Sequence, residues 1–342
     1  MIDAQFILKG RSVKSRVIQL RSRPLGLPKP SDFDLVEIPV QAPGEGELLV
    51  ENLYMSVDPY MRGRMREAWG VGDALEGGAI GRVVESGAAN FAVGDFVSHG
   101  LGWRQHATLN AATCAKVDAD LAPLPAYLGV MGMPGLTAYG GLLETGQYKD
   151  GETVFVSAAS GAVGSVVGQI ARIKGSEHVI GSAGSPAKVA MLKNEYGFSH
   201  AFNYKDADIL GELRAGAPKG LDIYFENVGG PQLEAALTHM RPYGRIPICG
   251  MIATYNDGET LTPGPRNLTE TIYKFITMSG FVVSAFGDLQ AQFRQEMAGW
   301  IKSGDLKYAE TIVDGLEQAP EAFIGLFAGA NDGKMLVRLA AE

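Results

Sequence analysis

One stretch, Val154 to Lys188, constrains the fold more than any other part of the sequence. It is entered through Thr153–Val156, a β-branched and aromatic run that is typical of a buried parallel strand. A tight turn of small residues follows, and the apolar periodicity of Val163–Ile173 then predicts a helix. A second apolar run, His178–Ser182, predicts another strand. The order strand, turn, helix, strand predicts a parallel βαβ unit in an α/β domain.

The turn inside this unit has the spacing Ala159-x-Gly161-x-x-Gly164, a variant of the dinucleotide fingerprint with alanine in the first glycine position. A side chain at Gly161 would keep a pyrophosphate away from the helix N-terminus, where free N–H groups and the helix dipole bind it. A side chain at Gly164 would push the helix off the strand. Because the motif follows a strand and opens a helix, we predict a dinucleotide site; a plain glycine-rich turn is the alternative.

The residues after the second strand indicate which dinucleotide would bind. An NAD site usually has an Asp or Glu about 20 residues after the first glycine, bonded to the ribose 2′-OH. Here Gly181–Ser185 contains no acid, and the next charged residue is Lys188. A carboxylate would repel a 2′-phosphate, whereas hydroxyls such as that of Ser182 and an ammonium group would bind it, so the sequence predicts NADP(H). The alternative for Lys188 is a solvated lysine in the first turn of a helix capped by Ser185.

The composition argues against several classes of protein. The chain has 342 residues, which suggests two domains, and its formal net charge is −8 without a basic patch of interleaved aromatics. Neither a nucleic acid nor an anionic membrane is therefore an expected partner. No apolar run approaches membrane-spanning length, and the first residues lack the apolar core of a signal peptide. Cys114 and Cys249 are the only cysteines in the sequence, which predicts a reducing, cytoplasmic setting.

The first 125 residues or so predict an all-β domain, because short β-rich runs alternate with turns that contain Gly or Pro. The predicted strands lie at residues 14–23, 33–39, 47–54, 79–86 and 96–98. The segment that follows the third of them, residues 55–65, is predicted to be a loop. Short strands at regular spacing are typical of a small barrel.

From Leu128 onward the apolar stretches are longer, and they predict helices joined at a break at Met133-Pro134-Gly135. Strands then alternate with helices, which predicts a six-stranded doubly wound sheet. Its predicted strands lie at residues 153–157, 179–182, 201–203, 221–225, 244–248 and about 278–283. The tail predicts helices at about 288–303 and 317–328 and a strand at 334–339.

Several ordered motifs between about Arg16 and Leu339 point to a family. They are A-A-S-G-A-V-G-S-V-V-G-Q-I-A-R-I-K-G at 158–175, F-N-Y-K at 202–205, E-N-V-G-G at 226–230, R-I-P-I-C-G at 245–250 and L-Y-M-S-V-D-P-Y-M-R-G-R-M at 53–65. Together they resemble the zinc-independent medium-chain dehydrogenase/reductases, in the branch of the prostaglandin/leukotriene B4 reductases, plant alkenal reductases and bacterial NADPH-dependent curcumin reductases. One departure is Glu226, where the family often has Asp.

The resemblance implies an α/β fold with two domains. A GroES-like β-barrel catalytic domain would span residues 1–127, with residues 304–342 returning to it, and a Rossmann NADP-binding domain would span residues 128–303. It also implies the activity of an NADP-dependent oxidoreductase that reduces a carbon–carbon double bond conjugated to a carbonyl, as in enones, alkenals and curcumin.

The resemblance further implies which residues contact the cofactor. Gly161, Ala162, Val163 and Gly164 would meet the pyrophosphate, and Lys188 and Tyr204 would flank the 2′-phosphate. The remaining implied contacts, most of them along the nicotinamide half, are Met133, Thr137, Asn227, Cys249, Gly250, Met251, Ile252, Phe281, Val282, Val283 and Asn331.

Three of these residues have structural alternatives. Tyr204 would otherwise be a half-buried sheet tyrosine, and Asn227 part of a plain strand-to-helix turn. Cys249 is expected to be a small buried hydrophobe rather than a nucleophile, since no base is beside it in the sequence.

The residues that zinc alcohol dehydrogenases use as ligands are missing from the sequence. Gly77-Gly78-Ala79 occupies the place of the G-H-E histidine motif, and His99 and His106 have no nearby Cys or carboxylate cluster. We therefore predict that no metal is bound. Without a Lewis acid, reduction of a plain ketone would leave a localised alkoxide, whereas conjugate reduction spreads the charge into an enolate that one or two hydrogen-bond donors can support.

The predicted protein donor is Tyr255, in the loop C-G-M-I-A-T-Y-N-D-G after a sheet strand. By family analogy, the nicotinamide ribose 2′-OH would be a second donor. Tyr54 and Tyr60 are predicted to line the substrate pocket, although Tyr54 would alternatively end a strand facing the core.

Two other functions stay open at this point: an NADPH quinone oxidoreductase, because a neighbouring branch shares fold and cofactor, and a non-catalytic NADPH-binding protein. The expected partners are a small activated alkene and a second copy of the chain. Met278–Phe286 is predicted to be the last strand of the Rossmann sheet, and its apolar, uncharged edge favours a homodimer.

Overall fold

The computed structural model describes residues 13–342, and the first third of this range forms the predicted β domain. Its elements are β1 (Val13–Leu20), β2 (Phe33–Val40), β3 (Glu47–Ser56), α1 (Met61–Arg64), β4 (Ala79–Ser86), β5 (Phe96–His99), β6 (His106–Asn110) and β7 (Ala115–Lys116). Strand β3 is central, because it pairs antiparallel with both β4 and β6. Eight of its ten residues are buried, since the chain covers both of its faces. Strands β1 and β2 pair with each other as a hairpin-like ribbon beside this sheet.

The second domain alternates helices and strands as predicted. Its elements are α2 (Met133–Gly140), β8 (Val154–Val156), α3 (Gly164–Ile173), β9 (Val179–Ala183), α4 (Pro186–Asn194), β10 (His200–Asn203), α5 (Ile209–Gly216), β11 (Leu221–Phe225), α6 (Gly230–His239), β12 (Met240–Ile248), α7 (Glu270–Tyr273), β13 (Thr277–Gly280) and α8 (Gln290–Ser303). None of the helices within residues 13–342 has the length and apolarity needed to cross a membrane.

The six strands of this domain form one parallel sheet in the order β10-β9-β8-β11-β12-β13, which confirms the predicted doubly wound sheet. The three residues of β8 are completely buried because helices cover both faces of the sheet. Strand β8 has β9 on one side and β11 on the other, so the chain reverses its winding direction between β8 and β11. In open α/β sheets, ligands bind at the carboxyl ends of the strands at such a point.

The last part of the chain returns to the first domain through β14 (Glu310–Asp314), α9 (Ala319–Ala328) and β15 (Lys334–Arg338). Strand β15 pairs antiparallel with β3, with Leu336 opposite Ser56, and β14 pairs parallel with β15. Helix α9 inserts Phe323 beside Trp103 and Phe33 in the core of the β domain. These contacts favour the domain boundaries that the family resemblance implies.

Three predicted elements are wrong. Residues 55–65 are not all loop, because β3 continues to Ser56 and Met61–Arg64 form α1. The stretch Met278–Phe286 is not one strand, because β13 ends at Gly280 and residues 283–289 form a 3₁₀ helix. The physical reason is packing: Phe281 turns inward onto Phe225, with ring centroids 5.9 Å apart, and Phe286 is buried against Gly140.

Likewise, Met133-Pro134-Gly135 does not join two helices. It begins α2, with Pro134 in the first turn, where a missing N–H costs nothing.

Candidate active site

The turn between β8 and α3 has the geometry of a phosphate-binding turn. A Cβ at Gly164 would lie 2.5 Å from the carbonyl oxygen of Ala158, so only glycine lets α3 pack this closely onto the turn. At Gly161 the nearest atom to such a Cβ is the Ala158 oxygen at 3.3 Å. The N–H groups of Ser165 and Val166 already donate to the Gly161 and Val163 carbonyls, each at 3.1 Å, so Ala162, Val163 and Gly164 supply the N–H groups that an anion at this helix start would use.

The C-terminal segment closes one side of this turn. The Gly333 N–H donates to the Ser160 carbonyl at 3.0 Å, and Gly333 is bridged to Gly161. The Asn331 side chain donates to the Gly333 carbonyl at 2.6 Å, which fixes the loop before β15. Asn331 thus lies at the cradle, and its amide holds the loop itself.

Lys188 lies in the first turn of α4, and Ser185 caps that helix by accepting from the Lys188 N–H. The Lys188 ammonium group donates to the carbonyl oxygens of Gly329 and Asn331, each at 2.7 Å. Its nearest carboxylate is Asp332 at 3.8 Å, and its side chain is 14% exposed. Burial lowers the pKa of Lys188; the charge of Asp332 opposes this shift, and the charge of Lys205 adds to it.

Tyr204 and Lys205 approach the same place from the end of β10. A Cβ at Gly184 would lie 3.4 Å from the Tyr204 hydroxyl oxygen and 3.5 Å from Lys205 Cε. The structure therefore gathers two ammonium groups and a phenol around the end of β9. Like charges drawn together in this way favour an anion between them.

Ser182 does not contribute to this group. It is fully buried in β9, and its hydroxyl donates to the side-chain oxygen of Gln232 on α6. Because this bond uses the Ser182 hydroxyl inside the domain, the structure favours a packing role for Ser182 over a contact with the cofactor ribose.

The opposite end of the site lies at the carboxyl ends of β11 and β12. The Asn227 N–H donates to Ser157 Oγ at 2.9 Å, and its side-chain amide donates to the Ser157 carbonyl at 2.8 Å. These two bonds fix Asn227 against the end of β8. The N–H groups of Cys249 and Gly250 both donate to the Glu226 carbonyl, which brings the β12 loop beside Asn227.

Glu226 is a buried carboxyl group beneath this junction. One of its oxygens accepts from Ser157 Oγ, from the Tyr224 hydroxyl and from the Val228 N–H, at 3.0, 2.7 and 2.6 Å. Its other oxygen has no hydrogen-bond partner among residues 13–342. Burial raises the pKa of Glu226, although these bonds oppose the shift.

Cys249 is partly buried in the structure. Burial, and then the charge of Glu226, raises the pKa of its thiol to about 12, so the thiolate that a nucleophile needs does not form near neutral pH.

Tyr255 ends a short 3₁₀ turn, Ile252–Thr254, in the loop after β12. Its hydroxyl oxygen accepts from the Met251 N–H at a long 3.4 Å, and it lies 2.7 Å from the place a Cβ would take on Gly250. Burial raises the pKa of the Tyr255 phenol, so the group keeps its proton at neutral pH. A protonated phenol above a glycine at the end of a parallel strand is a hydrogen-bond donor placed for a small-molecule site.

The other residues predicted to contact the nicotinamide half differ in their burial and in their contacts. Thr137 is buried in α2, and its hydroxyl donates to the Met133 carbonyl at 2.7 Å. Phe281 is half-buried over Gly141, whereas Val282 is 68% exposed and Val283 begins the 3₁₀ helix.

The two tyrosines predicted to line the substrate pocket differ sharply. Tyr54 is 4% exposed within a cluster of apolar residues, and its hydroxyl donates to Glu342 at 2.7 Å. This contact favours the alternative of a strand residue facing the core. Tyr60 is 39% exposed just before α1, with the Arg64 guanidinium 5.5 Å from its ring centre, so it remains accessible to a ligand.

Potential metal ligands do not cluster in the described part of the chain, where no group of three or more His, Cys, Asp or Glu side chains could hold an ion. His99 is buried, its Nδ1 accepts from the Leu101 N–H at 3.1 Å, and burial lowers its pKa to about 3. His106 lies on β6, where it pairs with Glu51 of β3 in the sheet register.

Three residues at the site were not predicted from the sequence. Lys205 could have been predicted from the sequence, since it follows Tyr204 directly in the F-N-Y-K motif. Arg62 Nε donates to Asn256 Oδ1 at 3.2 Å between the two domains. No local sequence pattern predicts that contact.

Comparisons with known proteins agree with this arrangement. The N-terminal domain of oxidoreductases matches residues 16–117, and the zinc-binding dehydrogenase family matches residues 162–303. The NADP-dependent 2-alkenal reductase of Nicotiana tabacum is 43% identical, with 96% of this chain and 99% of that protein covered.

The NADPH-dependent curcumin reductase of Escherichia coli is 41% identical, with 94% of this chain and 96% of that protein covered. Among solved structures, CurA from Vibrio vulnificus in complex with NADPH superposes with a TM-score of 0.90 at 40% identity. That match covers 96% of this chain and all of that chain.

Proposed function

The chain belongs to the medium-chain dehydrogenase/reductases, in the branch of the alkenal and curcumin reductases, and we propose that it reduces the carbon–carbon double bond of α,β-unsaturated ketones and aldehydes with NADPH. The observation that carries the proposal is the protonated Tyr255 hydroxyl, held above Gly250 at the end of β12. An enolate oxygen formed in conjugate reduction needs a donor of this kind.

The cofactor is NADP(H), and three groups of residues in this chain suit its parts. The glycine turn before α3 suits a pyrophosphate, because its close approach would be lost with larger side chains. Lys188, Tyr204 and Lys205 suit a 2′-phosphate, since an anion offsets the repulsion between the two ammonium groups. Asn227 and the β12 loop would hold the nicotinamide half.

The chemistry divides between cofactor and protein. When bound, NADPH supplies the hydride that the β-carbon of the substrate receives. Tyr255 donates a hydrogen bond to the carbonyl oxygen as negative charge builds there, and its raised pKa keeps the proton on the phenol while it does so. Gly250 leaves room for that hydroxyl, and the α-carbon takes its proton from solvent.

The reaction class is tested with NADPH that carries deuterium at the transferring position. With a 4-hydroxyalkenal or curcumin as substrate, we expect the label at the β-carbon of a saturated product whose carbonyl is intact. Label at the carbonyl carbon, giving an allylic alcohol, would refute the proposal. Turnover on a naphthoquinone but on no enone would favour a quinone reductase. Absence of turnover on both substrates would favour a non-catalytic NADPH-binding protein.

The role of Tyr255 is tested separately. Tyr255→Phe should lower kcat by about tenfold or more, because an oxyanion donor is lost and the ribose hydroxyl compensates only in part. Tyr148→Phe is the matched control, since it removes a hydroxyl of the same domain that donates to the Ala171 and Lys174 carbonyls, away from the β12 loop. Equal kcat values for the two variants would remove the tyrosine from the mechanism and leave the reaction class standing.

The proposal includes a cytoplasmic homodimer. Strand β13 is a free edge of the sheet, and large apolar side chains stand exposed around it; they are Tyr243, Ile272, Tyr273, Phe275 and Val282, between 61% and 79% exposed. Such a patch beside an open edge favours a second copy about a two-fold axis. Light scattering should give twice the chain mass of 36.3 kDa at micromolar concentration, and a single-chain mass would refute the dimer.

A further inference from the structure

Arg62 on α1 is a buried charge without a carboxylate partner. Its side chain is 2% exposed, and none of the ion pairs among residues 13–342 includes it. Its bonds go to neutral oxygens instead: Nη2 donates to the Pro24 and Gly26 carbonyls at 3.1 and 2.9 Å, and Nε donates to the Asn256 side-chain oxygen at 3.2 Å. Since burying a guanidinium group is costly, this arrangement calls for a reason.

The three partners of Arg62 indicate the reason. Pro24 and Gly26 lie in the loop between β1 and β2 of the β domain, whereas Asn256 lies in the β12 loop of the cofactor domain. A single side chain therefore connects both domains at the residue next to Tyr255. The Gly26 backbone also approaches this loop, because a Cβ there would lie 3.8 Å from the Asn256 carbonyl oxygen.

Arg66, just after α1, makes a second connection to the same loop. Its guanidinium donates to the main-chain oxygens of Tyr255 and Asp257 at 3.1 and 3.4 Å. These bonds are exposed, so each contributes less than the part-buried bond from Arg62 to Asn256.

The loop around Tyr255 thus has two different anchors. Its first half is tied to its own domain, since the Ile252 and Ala253 N–H groups donate to the Asn227 and Val228 carbonyls at 3.1 and 3.0 Å. Its second half, residues 255–257, is tied across the cleft by Arg62 and Arg66. The bond of Tyr255 itself to Met251 is long, so the hydroxyl depends on the loop for its position.

We propose that Arg62 is a positioning residue, which acts through Asn256 to hold the Tyr255 hydroxyl in place across the cleft between the two domains. Arg62 touches neither substrate nor cofactor in this role. The inference rests on the proposed function in one respect, the use of Tyr255 as the enolate donor.

The test is a double-mutant cycle on kcat with a saturating enone and NADPH. Asn256→Ala removes the acceptor and leaves Arg62 in place, and we expect it to lower kcat about three- to tenfold, with the KM for NADPH changed less than about twofold. In the Tyr255→Phe background the same substitution should change kcat less than about twofold, because no hydroxyl is left to position. Arg62→Met should behave as Asn256→Ala does, and Arg62→Lys should restore part of the loss.

Asn52→Ala is the control for a general loss of stability. Asn52 is also buried and also donates to two carbonyls, those of Leu101 and Arg104, but it makes its contacts inside the β domain. The Asn52→Ala substitution should lower the melting temperature and leave kcat nearly unchanged. Equal losses for Asn256→Ala with and without the Tyr255 hydroxyl, or no loss in either background, would overturn the inference.

Amide hydrogen exchange tests whether Arg62 holds the loop, independently of any measurement of enzyme activity. Peptides that cover residues 251–257 should exchange at least about fivefold faster in Arg62→Met and Asn256→Ala, while peptides of β3 stay unchanged. Unchanged exchange in the loop would overturn the inference whatever the activity. If the wild-type protein reduces no enone, the proposed function fails, and the exchange result still shows whether Arg62 holds the loop.

Discussion

Replacing Lys188 by alanine gives the sharpest test of the cofactor site. The Lys188 ammonium group has three hydrogens to donate, and the carbonyls of Gly329 and Asn331 take two of them at 2.7 Å. One is left for a phosphate oxygen. The substitution therefore removes a single charge-assisted bond to the 2′-phosphate and also releases the loop that precedes β15.

The size of the effect follows from that count. One hydrogen bond to a charged group contributes about 1.5–3 kcal/mol, which corresponds to a factor of about 10–100 in affinity. Releasing the loop at Gly329 and Asn331 should weaken the binding of NADPH and of NADH equally, because both cofactors contain the pyrophosphate. The ratio of kcat/KM for NADPH to kcat/KM for NADH cancels this shared part, so Lys188→Ala should lower that ratio about 10- to 100-fold.

Steady-state assays with both cofactors and one enone measure this ratio directly. Lys205→Ala should lower it as well, by less, since its side chain is more exposed. Lys193→Ala is the matched control, because it removes an exposed lysine from the last turn of the same helix. A parallel fall for NADPH and NADH in Lys188→Ala, with the ratio unchanged, would refute the assignment of the 2′-phosphate site.

Three further outcomes are expected. Gly250→Ala should lower kcat about tenfold, since its Cβ would lie 2.7 Å from the Tyr255 hydroxyl oxygen, and steady-state assays should find it nearly neutral in the Tyr255→Phe background. Burial raises the pKa of Glu310 from 4.5 to about 7, so the stability it contributes is complete below pH 4.5 and is lost as the pH rises through 7. Glu310→Gln should therefore raise the melting temperature more at about pH 8 than at about pH 5, and the reverse order would contradict this reasoning. Elemental analysis should find far less than one zinc per chain, and a chelator should leave turnover unchanged; stoichiometric zinc would require a different mechanism.

The parts of the fold that the sequence predicted well are those with strong local patterns. Strand β8, the glycine turn and α3 form a continuous βαβ signal, so their bounds agree within one or two residues. Strand β14 was missed because its residues are only partly buried and its parallel pairing with β15 depends on a crossover through α9. The long last strand was predicted wrongly because of Phe281 and Phe286. An apolar run in the sequence does not distinguish a strand that continues a sheet from a segment that folds into the core.

The same division holds within the candidate site. Gly164, Lys188 and Asn227 lie in motifs, and the structure places each beside the expected turn or strand end. Ser182 was predicted to be a cofactor contact, but its hydroxyl is used by Gln232, 50 residues later in the chain. Arg62 was not predicted because a bond that spans 194 residues leaves no local trace in the sequence.

The position of β15 has a consequence for how the protein is made. Leu336 pairs with Ser56, so one end of the central strand β3 lacks a neighbour until residues that follow the whole cofactor domain have been synthesised. Until then the edge of β3 at Tyr54–Ser56 is open, although β6 already pairs with Glu47–Glu51, and the whole cofactor domain has emerged. Pairings between such distant segments form slowly, so the catalytic domain should mature after the cofactor domain has been synthesised, and a product cut short before Lys334 should be a substrate for chaperones or proteases.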